Sequence, residues 1–266
     1  MGRLEVTVLG CGSSPGTPRP NGDWGGCDPD NPKNRRMRAS ILVERVSEAG
    51  GRTSVVIDTG PDFREQMLMA GVEQLDAVVY THGHADHIHG IDDVRTFALA
   101  QGQMLPAYAD ENTFKRLTSA FGYVFETPEG SSYPPILTRK PISVRERFTI
   151  DAHGGELEFV PIYQEHGDIH SLGFRVDDFA YCSDASRIPQ ASMEQLRNLD
   201  VLIIDALQYR EHVSHFSLRE ALEVIKVLEP KRAFLTHMHI PLDYETVMRD
   251  TPHNVEPCYD GLRFQL

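Results

Sequence analysis

The 266-residue chain is poor in cysteine, in basic charge and in long apolar runs, and each shortage excludes something. Cys11, Cys27, Cys182 and Cys258 are widely spaced and form no CxxC pair. That spacing argues against a disulfide framework and for reduced thiols in the cytoplasm. Lys and Arg together number 26 against 39 Asp and Glu, a formal charge of −13. Tight, sequence-independent binding of a polyanion needs basic surface for counterion release, so no long nucleic acid is expected as a partner. No apolar run approaches the ~20 residues a membrane helix requires. The opening MGRLEVTVLGCG leads into a strand-like run without a secretory pattern, so no membrane partner is expected either. Repeats at solenoid periods and low-complexity tracts are also missing.

What the chain does contain is an alternation of β-rich and helical patterns. Strands are expected at 4–10, 39–44, 53–59, 75–81, 157–163, 172–176, 179–184, 200–206 and 232–237, and helices at 62–71, 87–102, 111–122, 191–199 and 217–229. In the last helix Leu218, Leu222, Ile225 and Leu228 form one apolar stripe that Pro230 ends. Hairpins come first, then βα units, and the order then repeats, which predicts an α/β protein. Residues 11–38, rich in Gly, Pro and Asn, and 126–141, with four prolines, read as long loops of functional or mobile character.

Histidine is abundant where cysteine is not. The stretch Thr81–His87, THGHADH, follows an apolar strand and precedes a helical pattern, so it occupies a strand-to-helix loop. His82 and His84, two apart in extended chain, face the same way, while Asp86 and His87 face back across the loop from the helix start. One loop thereby offers ligands to two neighbouring positions. Imidazole with carboxylate suits zinc, manganese or iron, and the absence of thiolate argues against a purely structural zinc knot. A solvated histidine-rich turn would not need so dense a pattern. His89 lies outside it and reads as a surface or supporting residue.

HGHADH resembles the HxHxDH signature of the metallo-β-lactamase superfamily, and the likeness extends over most of the chain. The resemblance implies a four-layer αββα sandwich of two similar halves spanning residues 1–266 as one domain, with a loop-rich insertion around 103–141. It implies a site at one edge between the sheets holding two divalent metal ions, zinc or manganese. His82, His84 and His166 would bind the first ion, Asp86, His87 and His237 the second, and Asp184 would bridge them. Asp58, in VVIDTGPDF, would orient the histidine loop without binding metal. On the residues alone, His170 and His153 compete with His166, His239 competes with His237, and Asp184 could be a helix cap.

HFSL, a helix and then LTH resemble the phosphodiesterase branch, which includes tRNA 3′-processing endonucleases and the phosphoribosyl cyclic phosphodiesterase of phosphonate breakdown. That likeness implies His215 as general acid, with Ser217 free to cap the helix. Asp86 joins it as a candidate catalytic residue. LGCGSSPGTPRP and PKNRRMRASILVE would flank the site, making Ser14, Arg19, Arg36 and His212 candidate substrate contacts, although NRRMR equally reads as a solvated face. The branch's cysteine cluster for an extra zinc is reduced to Cys27, which argues against that zinc and against identity of substrate. Phe121, Tyr123, Phe125 and Tyr133 are available to stack on a base from a cover over the mouth, or to pack into the core. Two bridged cations acidify a shared water and clamp phosphoryl oxygens. The expected activity is therefore hydrolysis of a small phosphodiester, a nucleotide or cyclic phosphate, by a metal-bridging hydroxide. An RNA-processing nuclease, a thioesterase or lactonase, and a non-catalytic metal or nucleotide binder are the alternatives. A homodimer is left open.

Overall fold

Side-chain alternation along the first strands sets the layers of the computed structural model, which describes residues 2–144 and 146–266. In β1 (Arg3–Gly10), β2 (Ser40–Val46), β3 (Arg52–Ile57) and β4 (Ala77–Val79), Val6, Val8, Ile41, Val43, Val55 and Ile57 enter one core. The interleaved Leu9, Leu42, Val56 and Val78 enter another, which Phe63, Met67, Phe114 and Leu117 complete from helices. Successive side chains of a strand point to opposite faces, so one sheet serves both cores.

The chain continues through α1 (Phe63–Ala70), α2 (Ala85–Ile88), α3 (Arg95–Gln101), β5 (Leu105–Ala109), α4 (Glu111–Phe121) and β6 (Leu137–Pro141). Then follow β7 (Phe148–Ala152), β8 (Gly155–His166), β9 (Ile169–Val176), β10 (Phe179–Cys182), α5 (Gln190–Gln195), β11 (Val201–Asp205) and α6 (Leu218–Leu228). The last elements are β12 (Arg232–Thr236), α7 (Tyr244–Asp250), β13 (Val255–Pro257) and β14 (Arg263–Gln265). Two seven-stranded sheets result, ordered β14-β1-β2-β3-β4-β5-β6 and β13-β12-β11-β10-β9-β8-β7. In each half antiparallel strands lead into a parallel set: β1-β2-β3 into β4-β5-β6, and β7-β8-β9-β10 into β11-β12-β13. Strands of both sheets contribute to one core, with helices outside, giving the α/β sandwich expected from the sequence. No helix among the described residues is long and apolar enough to cross a membrane.

Two expectations change. The helix at 87–102 is broken into α2, a 3-10 turn at Ile91–Val94, and α3. The break comes at Gly90, where a Cβ would lie 2.1 Å from the carbonyl oxygen of Gly60. Residues 103–141 extend the first sheet with β5 and β6 and pack α4 on it. Their aromatics do not reach the mouth. Phe125 is buried 5.9 Å from Phe114, Phe121 lies 5.7 Å from the ring of His89, and Tyr133 is exposed. The short strands β5, β6, β7, β13 and β14 and helix α7 lacked enough periodicity to be read in the sequence.

Candidate metal centre

Three residues at the centre follow strand ends in left-handed backbone: Asp58 after β3 with φ 66°, Asp184 after β10 with φ 57° and His237 after β12 with φ 57°. Such a conformation costs a non-glycine residue about 1–3 kcal/mol and persists only where its surroundings enforce it. Here it turns three side chains from separate strands into one edge of the sandwich.

Asp58 is fully buried and organises the histidine loop. It accepts from the Thr81 amide at 2.8 Å, the Thr81 hydroxyl at 2.8 Å and His87 Nδ1 at 2.7 Å. Because the Thr81 hydroxyl spends its proton on Asp58, its oxygen accepts from His82 Nδ1 at 3.0 Å. One carboxylate thereby engages the Nδ1 edge of both rings and turns each Nε2 towards the centre. His166 reaches the same state by donating from Nδ1 to the Ser214 carbonyl at 2.6 Å.

The remaining donors converge. His82 Nε2, His87 Nε2 and both ring nitrogens of His237 are buried with no hydrogen-bond partner. Ligand atoms of His82, His84 and His166 lie within 4.8 Å of one another, and so do those of Asp86, His87, Asp184 and His237. Asp184 stands between the groups. Its Oδ2 is 3.9 Å from His82 Nε2, 3.9 Å from His166 Nε2 and 3.3 Å from His237 Nε2, and its Oδ1 is 3.4 Å from His87 Nε2. Asp86 Oδ2 is 3.4 Å from His87 Nε2 and 3.6 Å from His237 Nε2. Donors bonded at about 2.1 Å around one tetrahedral ion are roughly 3.4 Å apart. Orphaned nitrogens at that spacing fit divalent cations, so both groups could hold metal.

Charge says the same. Burial drives the His82, His84 and His166 rings below their usual pKa, into the neutral form that ligates. In the second group burial opposes charge on His87, but Asp184, Asp86 and Asp58 outweigh it and hold its pKa well above the usual value. Burial also opposes charge on Asp86 and Asp184, yet neighbouring histidines hold both carboxyls low. A cluster of carboxylates this deep calls for positive charge.

His215 lies against both groups, with its ring centroid 4.7 Å from that of His166 and 4.6 Å from that of His237. Its Nδ1 contacts Asp205 Oδ2 at 2.8 Å. Burial works against protonation, but the charge and hydrogen bond of Asp205 prevail and raise the ring to about 9. His215 is not the cap of α6: Ser217 and Glu220 form the capping box there.

The candidate substrate contacts divide. Ser14 lines the cleft beside the first group, and His212 is exposed with its ring 5.4 Å from that of His215. Arg19 is half-exposed, held by Asp23 at 3.1 Å and by His239 Nε2 at 2.5 Å, while His239 Nδ1 contacts the Ser13 hydroxyl at 2.8 Å. Arg36 departs from expectation. It is buried, bonding to Leu242 O at 2.6 Å and Asn34 Oδ1 at 3.1 Å, with Cys27 Sγ at 3.8 Å. It fastens residues 11–38 to the segment before α7 and offers nothing to a ligand. Residues 11–38 are further laced to one another by paired Thr17 and Arg36 backbone bonds at 2.9 and 2.8 Å. Of the competing histidines, His153 is exposed at the β7–β8 turn, and His170 and His239 stand in the walls rather than among the ligands.

Sequence reasoning missed Asp205, although LIIDA repeats the strand-end aspartate of VVIDT and AYCSDA. It also missed the pairing of Asp110 with His170, 60 positions apart, for which no local signal exists.

Comparison with known proteins agrees with this fold. Residues 53–238 match the beta-lactamase superfamily domain. A solved diphosphatase of the PhnP family is similar at 35% identity and a TM-score of 0.86, over 99% of this chain and 97% of that one. The short form of human tRNase Z is similar at 16% identity and a TM-score of 0.65, over 98% of each chain, a likeness of fold alone. An octanoyltransferase of Porphyromonas gingivalis is 32% identical over 97% of this chain, but the chain spans only about half, 51%, of that relative.

Proposed function

The chain belongs to the metallo-β-lactamase superfamily, and from that premise we propose that it is a binuclear metal-dependent phosphodiesterase for a small phosphodiester or nucleotide. One observation carries the reading: His215, braced by Asp205, sits against ligands of both metal groups. Two divalent cations, zinc or manganese, held by His82, His84, Asp86, His87, His166, Asp184 and His237 would supply Lewis acidity towards a phosphoryl group. The chain's own residues do the rest. Asp205 fixes the Nδ1 proton of His215 and offsets its charge, so Nε2–H is the proton passed to the departing oxygen. Arg19, locked between Asp23 and His239, presents a guanidinium to an anionic group.

The 35%-identical diphosphatase supports phosphoryl chemistry. The charge of −13 disfavours a long RNA substrate despite the fold shared with tRNase Z. Octanoyl transfer through this chain's thiols finds no support, since all four cysteines are buried and burial raises each of them, Cys182 to about 12. The same free thiols agree with a cytoplasmic setting.

The test is turnover of bis(p-nitrophenyl) phosphate by metal-loaded and chelator-treated protein. Turnover that the chelator abolishes, and that exceeds hydrolysis of p-nitrophenyl acetate and a β-lactam at matched concentration, is expected. A rate equal to the chelated control, or a reversed preference, overturns the reading. His215→Ala should slow a methyl phosphodiester by roughly 10²–10⁴, and much less a p-nitrophenyl one, whose leaving group departs without a proton.

A further inference from the structure

Beside the first metal group a cleft of about 970 Å³ opens between α4, the β8–β9 turn and the HxHxDH loop. Its far wall is built around Asp110. One carboxylate oxygen caps α4 by accepting from the Thr113 amide at 2.8 Å, and the other takes His170 Nε2 at 2.5 Å. The opposite constraint on His170 is Tyr163, stacked at 5.5 Å between ring centroids and 22° between planes. His170 is thus fixed on two sides, and its Nδ1 has no hydrogen-bond partner among the described residues. The Asp110 hydrogen bond raises its pKa, with burial opposing and the Asp110 charge assisting.

Arg116 stands about one and two-thirds turns along α4 from that cap. Its stem packs on Gly83, the residue between the two ligands His82 and His84, so closely that a Cβ there would lie 3.1 Å from Arg116 Cβ and Cγ. Glycine at 83 therefore gives the arginine its place in the wall. Arg116 makes no ion pair or hydrogen bond with any described residue, although the chain carries 39 acidic residues. Nearby carboxylates are committed elsewhere: Asp110 to His170, Glu165 to Arg187 at 3.3 Å and Glu111 to Arg139 at 3.5 Å. Of the other acidic residues lining the cleft, Asp86 belongs to the metal group, and Asp168, exposed at the rim, remains as opposing charge.

The exposed, unpaired guanidinium of Arg116 and the free Nδ1 edge of His170, whose charge Asp110 offsets, line one cleft outside the ligand set and offer donors to an anion. We infer that Arg116 and His170 form a second anion subsite, which holds a phosphate of the substrate other than the one undergoing hydrolysis. The substrate class is thereby narrowed from any small phosphodiester to one bearing a second phosphate, such as a nucleoside diphosphate ester. This rests on the phosphoryl-transfer reading of the site, and its test is chosen to fail separately.

The experiment compares calorimetric binding of AMP and of the non-hydrolysable α,β-methylene-ADP to metal-loaded protein, wild type and variant. The wild type should bind the two-phosphate ligand at least about tenfold more tightly than AMP. Arg116→Gln should reduce that advantage to below about threefold, His170→Gln should reduce it in part, and Asp168→Asn should enlarge it. Thermal melts and metal content of each variant show whether it is folded and loaded. Equal affinity for the two ligands in the wild type, or an advantage that survives Arg116→Gln in a folded, loaded variant, overturns the subsite. Arg116-dependent preference without turnover of any phosphodiester would leave the subsite standing and remove the hydrolytic reading instead.

Discussion

At Asp58 a single carboxylate reaches into both metal groups, directly through His87 and through the Thr81 hydroxyl to His82. Residues that orient metal-binding imidazoles typically contribute 10–100-fold to affinity. Asp58→Ala should therefore weaken zinc binding by about that factor at both positions while leaving all seven ligands in place. Competition with a fluorescent chelator and elemental analysis of the dialysed variant provide the check. Affinity within about twofold of wild type would show that the loop holds its rings without Asp58. Asp58 was legible in the sequence because it is tied to a recognisable segment. Asp205, in the same kind of strand end, was not, because its role is defined only by the distant His215. Arg36 was misread for a related reason: five residues of NRRMR give no sign of which side chain is covered by Leu242.

The joint between the Asp58 turn and the histidine loop is made by two glycines on adjoining elements. At Gly60 a Cβ would lie 2.2 Å from the Asp86 carbonyl oxygen, and at Gly90 one would lie 2.1 Å from that of Gly60. Neither distance can be relieved by a side-chain rotation, because backbone is met on both sides. Gly60→Ala should destabilise the protein by about 1–3 kcal/mol and lower the thermal midpoint by several degrees. Gly122→Ala, where nothing lies within 4 Å, should leave it unchanged. Equal midpoints for the two variants would mean that the joint has slack. The same close approach explains why the apolar pattern of 87–102 did not give one helix. Periodicity reports which side is buried, not whether a neighbouring turn crosses the axis at Gly90. Where no such crossing occurs the pattern held, as in α6 with Leu218, Ile225 and Leu228 buried.

On the scale of the whole molecule, Asp260 ties together segments from opposite ends of the chain. It accepts from the Cys11 amide at 3.1 Å and the Met37 amide at 2.6 Å. Burial raises its carboxyl to about 7, with those hydrogen bonds opposing. In the unfolded chain it ionises near 4. The fold therefore binds this proton more tightly, so the contribution is fully present below pH ~4 and is lost as pH rises through about 7, by about 4 kcal/mol in all. Urea midpoints should fall between pH ~5 and pH ~8 more steeply in the wild type than in Asp260→Asn. Parallel slopes would mean that Asp260 is already ionised in the fold.

The sequence by itself determined what short range can encode. Four donors within six residues announced a metal site, and the β-rich runs at 4–10, 39–44 and 53–59 announced the strands β1 to β3. Tertiary structure alone decided that 103–141 extends a sheet with β5 and β6 and walls a cleft with α4, that Arg36 is a buried tie and that Asp110 braces His170. Each of those depends on contacts between remote segments, His170 with Asp110 across 60 positions and Arg36 with Leu242 across 206. A local pattern fixes which way a side chain faces along its own element, whereas its partner is chosen only when the chain closes on itself.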